Sequence, residues 1–425
     1  MKTELIAENI FYNIKDEKKP NKWDLSLIIP ISLLFLSLLF YTFSLIPFCF
    51  CCGSSYYWVV GVDNGNIGYI IIVVILFPLI YWIAGIESNT FNHVLLLNGL
   101  FILVMLCFVF IYLLLFFVVY ECLVVILFFI LFVFIPSFYR IRTGFIFYIF
   151  SIFGSICFIF SLLLFIMCNW WLCCIFILIP FLVKLPCFPF FYWLPEVHCE
   201  ANSAISLLLA GLLLKLGVFG ILRFILVSFS LSLRFLVSFI FSLALIGVIL
   251  ASCSSFRYFD VKKIIAFSSI IHLNLSFGCI LCMNGLSLLC GILTSIAHAF
   301  SSVSLFLFAG LIINKSYSRY LDSLVFLCVY SRSFFFLSTL FNASFPSSLN
   351  FVGELCCMIG LFCINSLWLV FYLANCFLFT FFWFLVLNIK LCNYYWYFFL
   401  NYIEILALLY LLFLNFLNGF YFVLN

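Results

Sequence analysis

The sequence predicts an all-α polytopic membrane protein, and three observations carry that prediction. Of the 425 residues, 68% are hydrophobic and 8% charged, where a soluble domain carries about 25% charge. Eighteen Lys and Arg with 14 Asp and Glu cannot solvate a chain of mean hydropathy +1.40, so most of its surface faces lipid. Second, polar and turn residues cut the chain into apolar runs of about 18 to 28 residues, each long enough at 1.5 Å rise to cross a core about 30 Å thick. Third, the charges are displaced to one end. The tail 1–24 holds Lys2, Lys15, Lys18, Lys19 and Lys22 with Glu4, Glu8, Asp16, Glu17 and Asp24, which leaves 22 charged residues for the other 401.

The tail 1–24 is polar. It has neither the apolar core of a signal peptide nor the Arg-rich, acid-poor character of a transit peptide, so no cleaved address is expected in it. Residues 25–425 are expected to form one transmembrane domain. Its runs fall near 25–50, 67–86, 91–110, 111–136, 144–168, 170–194, 202–224, 228–253, 262–283, 286–313, 326–363, 366–389 and 395–420, about thirteen helices in all. The run 326–363 is too long for one straight crossing and contains Asn342, Pro346, Ser347 and Ser348, so it reads as a broken helix or two segments. The sixth run carries Pro186 and Pro189 just after Lys184. Those prolines remove ladder donors and leave carbonyls free to solvate an ammonium.

Arg and Lys outside the runs give the orientation. Arg140, Arg142, Arg257, Lys262, Lys263, Lys315, Arg319 and Lys390 follow the fourth, eighth, tenth and twelfth runs, while the opposite side receives only Arg223 and Arg234. The even-numbered connections and the N-terminal tail are therefore expected on the inner side, and the C-terminus outside.

Six ionisable side chains stand deep in six different runs: Glu121, Lys184, Lys215, His272, His298 and Glu354. A charge at the bilayer centre costs about 2.5 to 3.5 kcal/mol even on the lenient insertion scale. Glu121, Lys215 and His272 lie too far from their helix ends to snorkel out, so they must face a bundle interior or water. A lone intramembrane histidine can serve only to bond a neighbouring helix, and one Glu and one Lys can pair statically. Six such groups together read better as a proton path. Lys184 and Glu354 sit five runs apart in the two interrupted helices, the arrangement of two inverted five-helix repeats with sites at the midplane.

Other motifs carry less. His198 and Glu200 in LPEVHCEANSA lack the PCxxC of a zinc deaminase, and residues two apart do not share a helix face. A connecting loop followed by capping Asn202 and Ser203 is expected there. Gly211, Gly217 and Gly220 match no phosphate loop and are expected to let helices pack closely beside Lys215. The cysteines Cys49, Cys51 and Cys52, and the pair Cys279 and Cys282, fall short of the four ligands a zinc or iron-sulfur centre wants, so buried thiols and no metal are expected. The wealth of Phe, Tyr and Cys is what thymine-rich codons of a small organellar genome would give; a balanced third-position composition in the coding DNA would refute this. No nucleotide, flavin or nucleic-acid signature is visible.

The stretch LVKLPCFPFFYWLPEVHCEANSAISLLLAGLLLKLGVFGILR resembles the subunit 4 family of NADH dehydrogenases, respiratory Complex I. That family carries VKMP, then LPxAHxEAP, then LAGxLLKxGxYGxxR, in this order and spacing. FDVKKIIAFSSIIHLNLSF, SIAHAFSSVSLFL and FPSSLNFVGEL continue the resemblance over roughly residues 60 to 390. The HxEA element separates this subunit from its antiporter-like relatives, subunits 2 and 5. Glu121 and Lys184 match the family's paired glutamate and lysine, and Lys215 its connecting lysine. His272 and His298 match the histidines of the central hydrophilic axis, and Glu354 the terminal glutamate.

The resemblance implies a proton-translocating subunit of the membrane arm of NADH:ubiquinone oxidoreductase in the mitochondrial inner membrane. Its partners would be the other membrane-arm subunits, including antiporter-like subunits 2 and 5, and membrane lipids. FMN, iron-sulfur clusters and ubiquinone would reside in partner subunits, with no redox site here. The alternatives are a stand-alone cation/proton antiporter, subunit 2 or 5 themselves, or a structural scaffold. The family has fourteen spans, so its first is expected to be replaced by the polar tail. Glu196, Asn202 and the loop LIINKSYSRYLD depart from the family pattern.

Overall fold

The computed structural model describes residues 55–57, 60–62, 64–87, 91–110, 112–133, 138–166, 170–228, 234–282, 284–321, 329–362, 373, 404 and 407–415. The tail 1–24, the run 25–50 including Cys49, Cys51 and Cys52 after it, the run 366–389 apart from Leu373, and most of 395–420 lie outside them. A three-residue antiparallel hairpin comes first, β1 (Ser55–Tyr57) pairing with β2 (Val60–Val62) so that Tyr56 faces Gly61. It is the only sheet among the described residues, where one isolated antiparallel bridge, Asp260 with Tyr320, also joins two connections.

Helices follow: α1 (Asn64–Glu87), α2 (Phe91–Val109), α3 (Leu113–Val133), α4 (Phe138–Ile166), α5 (Trp170–Lys184) and α6 (Trp193–Glu200). A continuous rod comes next, made of α7 (Ser203–Leu208), a π-helical turn at Leu209–Leu213 and α8 (Leu214–Ser228). The remainder are α9 (Arg234–Ser255), α10 (Val261–Leu281), α11 (Gly285–Ser316), α12 (Val329–Asn342) and α13 (Leu349–Phe362). Seven of the described helical rods are long and apolar enough to cross a membrane, and three shorter apolar helices accompany them. In lipid the backbone must bond itself, and a helix does so within one segment.

Ends and breaks follow local chemistry. A capping box opens α11, where Ser287 Oγ accepts from the Asn284 backbone N–H at 3.1 Å. Tyr317 closes the same helix in the left-handed region at φ 54°. Both predicted interruptions are present. Pro186 and Pro189 lie in a stretch of turns between α5 and α6, and Pro346 in another between α12 and α13, where Ser344 and Ser347 have φ 56° and 86°. Positive φ in non-glycine residues is strained and is held only by its surroundings.

Burial sorts centre from rim. The most apolar 18-residue windows of Ser203–Arg223 and Val261–Leu281 are wholly buried and that of Gly285–Ser316 is 83% buried, against 39% for Leu113–Leu131 and 33% for Tyr139–Leu164. The π-containing rod, α10 and α11 are therefore the core, with α3 and α4 outside. Phe145, Ile149, Ile156 and Leu163 of α4 are exposed, a face suited to lipid tails. Small residues permit the close approaches: a Cβ on Gly217 would lie 3.0 Å from Leu185 Cγ, and one on Gly353 only 2.5 Å from Thr294 Cγ2. The expectation for Gly211, Gly217 and Gly220 beside Lys215 agrees with this packing, since each faces a neighbouring helix or turn.

Arg140, Asn202, Lys262 and Arg319 line one pocket, so the connections after the fourth, sixth, eighth and tenth runs share one end of the bundle. Two sequence expectations are corrected. Arg140 and Arg142 sit in the first turns of α4 rather than in a connection. The segment holding His198 and Glu200 is the helix α6, not a loop. Pro195 falls in its first turn, where a missing N–H costs nothing, and Trp193, Leu194, Val197 and His198 are buried. Asn202 does take the N-cap position of α7, without a side-chain capping bond.

Candidate functional site

Lys184 ends α5 at the first break. Its ammonium donates to Glu121 Oε1 of α3 at 2.8 Å and lies 3.2 Å from the centroid of the Tyr120 ring, with side-chain exposures of 5% for the lysine and 25% for the glutamate. Carboxylate and ring face both stabilise the buried cation. The carbonyls four residues before the prolines are not used on Lys184, contrary to expectation: Leu182 O accepts from the Cys187 backbone N–H at 3.1 Å and Leu185 O from the Cys187 thiol at 3.6 Å. Val183 O accepts from Trp193 Nε1 at 3.0 Å and Pro186 O from Asn274 Nδ2 at 3.4 Å. The break is thereby pinned to α6 and α10, and the lysine is left to its glutamate.

Lys215 is the second residue of α8, just after the π turn, and is 1% exposed. A π turn leaves carbonyls out of the i→i−4 ladder, and Lys215 Nζ donates to one of them, Ala210 O.

At the second break, His272 of α10 and Glu354 of α13 form a pair, Nδ1 to Oε1 3.2 Å, with exposures of 5% and 12%. The rings of His272 and His298 of α11 stack with centroids 4.9 Å apart. Of the six residues singled out from sequence, the fold thus joins Glu121 to Lys184 and His272 to both Glu354 and His298. Glu354 and His272 lie within hydrogen-bond distance of each other. The histidines meet face to face instead, and the hydrogen bond of Lys215 goes to Ala210.

A string of neutral polar groups beside the histidines escaped the sequence reading. Asn342, the last residue of α12, donates to Ser268 Oγ at 3.2 Å and accepts from Ser301 Oγ at 3.2 Å. Asn350 donates to Ser301 Oγ at 3.3 Å and to Phe341 O at 3.0 Å across the break. All four side chains are buried. A single Asn before a Pro-Ser-Ser turn looks like punctuation, and only the fold shows what it touches. Replacing Asn342 with Leu is expected to cost about 1 to 3 kcal/mol, since buried hydroxyls lose a partner. Thermal unfolding of the purified protein measures it, and an unchanged midpoint would contradict the role.

His198, which its motif ties to no chemistry, is fully buried on α6 with its ring stacked on Phe306 of α11 at 4.4 Å. Around it, Glu196 pairs with Lys263 and Glu200 with Arg319, each at 2.8 Å. Among the described residues no group of three His, Cys, Asp or Glu is placed to hold a metal ion.

Charged groups paired inside a polytopic helical bundle, at two interrupted helices, define a class: membrane proteins whose interior is built for ionisable groups rather than for packing alone. The chain belongs to the NADH:quinone oxidoreductase/Mrp antiporter transmembrane family, whose model matches residues 110–380. NADH-ubiquinone oxidoreductase chain 4 of Chondrus crispus is 38% identical over 189 residues, which are 44% of this chain and 38% of that protein. The match therefore spans well under half the length of that relative. Among solved structures, a chain of respiratory complex I from Thermus thermophilus with bound NADH has TM-score 0.75 at 17% identity, covering 85% of this chain and 82% of that one. A chain of the Mrp complex from Dietzia sp. has TM-score 0.68 at 15% identity, covering 77% and 66%. These two likenesses are likenesses of fold.

Proposed function

We propose that the chain is a proton-translocating membrane-arm subunit of NADH:ubiquinone oxidoreductase, in the place of the relatives named chain 4. The observation that carries this is the buried Lys184–Glu121 pair at one broken helix, matched at the other by His272–Glu354. On this reading the chain has thirteen spans with two inverted five-helix repeats, and Lys184 and Glu354 stand at corresponding breaks. It lies in the mitochondrial inner membrane beside other membrane-arm subunits, including antiporter-like subunits 2 and 5. FMN, iron-sulfur clusters and ubiquinone belong to those partners, so the chain is part of an enzyme without holding its redox site.

The proton path consists of Glu121, Lys184, Lys215, His272, His298 and Glu354. Glu121 close to Lys184 stabilises the ammonium; drawing that negative charge away leaves a cation in a low-dielectric site, and the proton departs along the axis. Charge movement becomes proton movement. His298 and His272 pass the proton between Lys215 and Glu354.

The fold likeness to an Mrp complex chain favours a second reading, a stand-alone cation/proton antiporter. Purification from the native membrane separates the two. Co-purification with NADH-oxidising subunits is expected, and migration without any redox partner would refute the first reading.

A further inference from the structure

Beyond the second break, four cysteines from three helices meet near one end of the bundle. Gly353 of α13 faces Thr294 of α11 and Gly360 faces Ser287, where an added Cβ would lie 2.5 Å from Thr294 Cγ2 and 2.9 Å from Ser287 Cβ. Numbers rise on one helix as they fall on the other, so the two run antiparallel, and Cys356 and Cys357 stand level with Cys290. Gly291 in turn rests on α10, where a Cβ would come 2.5 Å from Ile280 Cγ1 and 2.9 Å from Ser276 O, which brings Cys279 to the same level. The thiols pair accordingly: Cys290 hydrogen-bonds with Cys356, and Cys357 with Cys279. Cys279, Cys290 and Cys357 are buried. Cys356 is half-buried, beside Leu355 and Ile359 on the exposed face of α13. Cys290 is the sixth residue of α11, about 8 Å from that helix's start at 1.5 Å per residue, so the cluster is shallow rather than at the midplane.

We propose that Cys290 and Cys356 are an oxidisable thiol pair that closes to a disulfide across α11 and α13. A disulfide wants Cβ atoms about 3.8 Å apart, and the glycines on either side of the pair let the two backbones approach closely enough for it. The half-buried Cys356 is the sulfur an oxidant reaches first. A hydroperoxide transfers one oxygen to it, giving the sulfenic acid and an alcohol as the O–O bond breaks. Cys290 then attacks that sulfur: the S–S bond forms, the S–O bond breaks, and the Cys290 proton leaves with the hydroxyl as water. The two sulfurs lose two electrons and the peroxide gains them. Thiols, sulfenic acid and disulfide are all uncharged, which suits an apolar surround, whereas a metal would require thiolates. Cys356 lies two residues after Glu354, so the disulfide ties down the segment that presents that carboxylate. Its effect on proton movement rests on the proton-path reading; the thiol pair itself does not.

The test uses native membrane vesicles holding the intact complex, treated with cumene hydroperoxide, then with N-ethylmaleimide to block free thiols, and digested with chymotrypsin without reductant. Peptide mass spectrometry is expected to find Cys290 joined to Cys356, and dithiothreitol should separate the two peptides. Cys290→Ser and Cys356→Ser should each remove the joined species, and the wild-type mapping decides the matter where a variant fails to assemble. Oxidation should lower the protons moved per electron pair at least about twofold, the smaller end of what restricting one packed element does to coupling between sites. Dithiothreitol should restore them, and Cys356→Ser should show no such loss. Recovery of Cys290 and Cys356 unlinked after oxidation, or each joined to some other cysteine, would overturn the proposal. A mapped disulfide with unchanged stoichiometry would overturn its effect on the path and leave the thiol pair standing, whereas wild-type pumping in Lys184→Met would strike the path reading alone.

Discussion

Replacing Lys184 with Met should abolish proton translocation by this subunit while the complex still assembles. Methionine keeps an unbranched stem in the slot beneath Tyr120 and removes the charge, so packing around the break survives. The connections that pin the break, Trp193 to Val183 O and Asn274 to Pro186 O, do not involve the lysine side chain. Glu121 is left without its cation. Losing one partner of a buried pair costs about 3 to 5 kcal/mol when the other stays charged. A glutamate side chain that is 25% exposed escapes much of that by taking up a proton or by meeting water. Proteoliposomes report both halves of the outcome: NADH oxidation with an uncoupler present tests assembly, and protons moved per electron pair test pumping. Wild-type proton stoichiometry in the variant would refute the role of Lys184. Glu121→Gln should do the same more mildly, because the amide oxygen still accepts from the ammonium.

The sequence made the ionisable groups legible and their partners illegible, for one physical reason. A charge in a run of Phe, Leu and Ile stands out because lipid penalises it, so all six groups could be named from spacing alone. Which helix comes to meet each charge is a long-range matter: Glu121 and Lys184 are 63 residues apart, and no local pattern encodes the contact. Prolines announced both breaks, since a missing donor is a local fact. The π turn before Lys215 had no such marker. The segment around His198 reads as a loop because its polar residues are mixed with Pro and Asn. It forms a helix because Trp193, Leu194 and Val197 bury against the bundle, tertiary packing overriding local composition. The Asn342, Ser301 and Asn350 string went unseen because serine and asparagine cost too little to stand out, though together they cross the second break.

At that second break, Glu354→Gln and His272→Gln should each lower proton movement strongly, and the double variant should be hardly worse than either alone. His272 Nδ1 and Glu354 Oε1 are 3.2 Å apart on different helices and both are largely buried, so removing either breaks the same contact. Groups in direct contact depart from additivity by about 0.5 to 3 kcal/mol, roughly a factor of 2 to 150 in rate. If the two residues were separate structural supports, their effects would multiply. Gln at either position keeps an amide that can bond its neighbour, which preserves the packing of α10 on α13 while removing the exchangeable charge. Thermal unfolding midpoints should therefore move little while proton flux falls. A ring stacked 4.9 Å away at His298 gives the third member its test: His298→Gln should be non-additive with both His272→Gln and Glu354→Gln, because all three stand on one path. Purely multiplicative effects across all three pairs would refute a relay through these side chains.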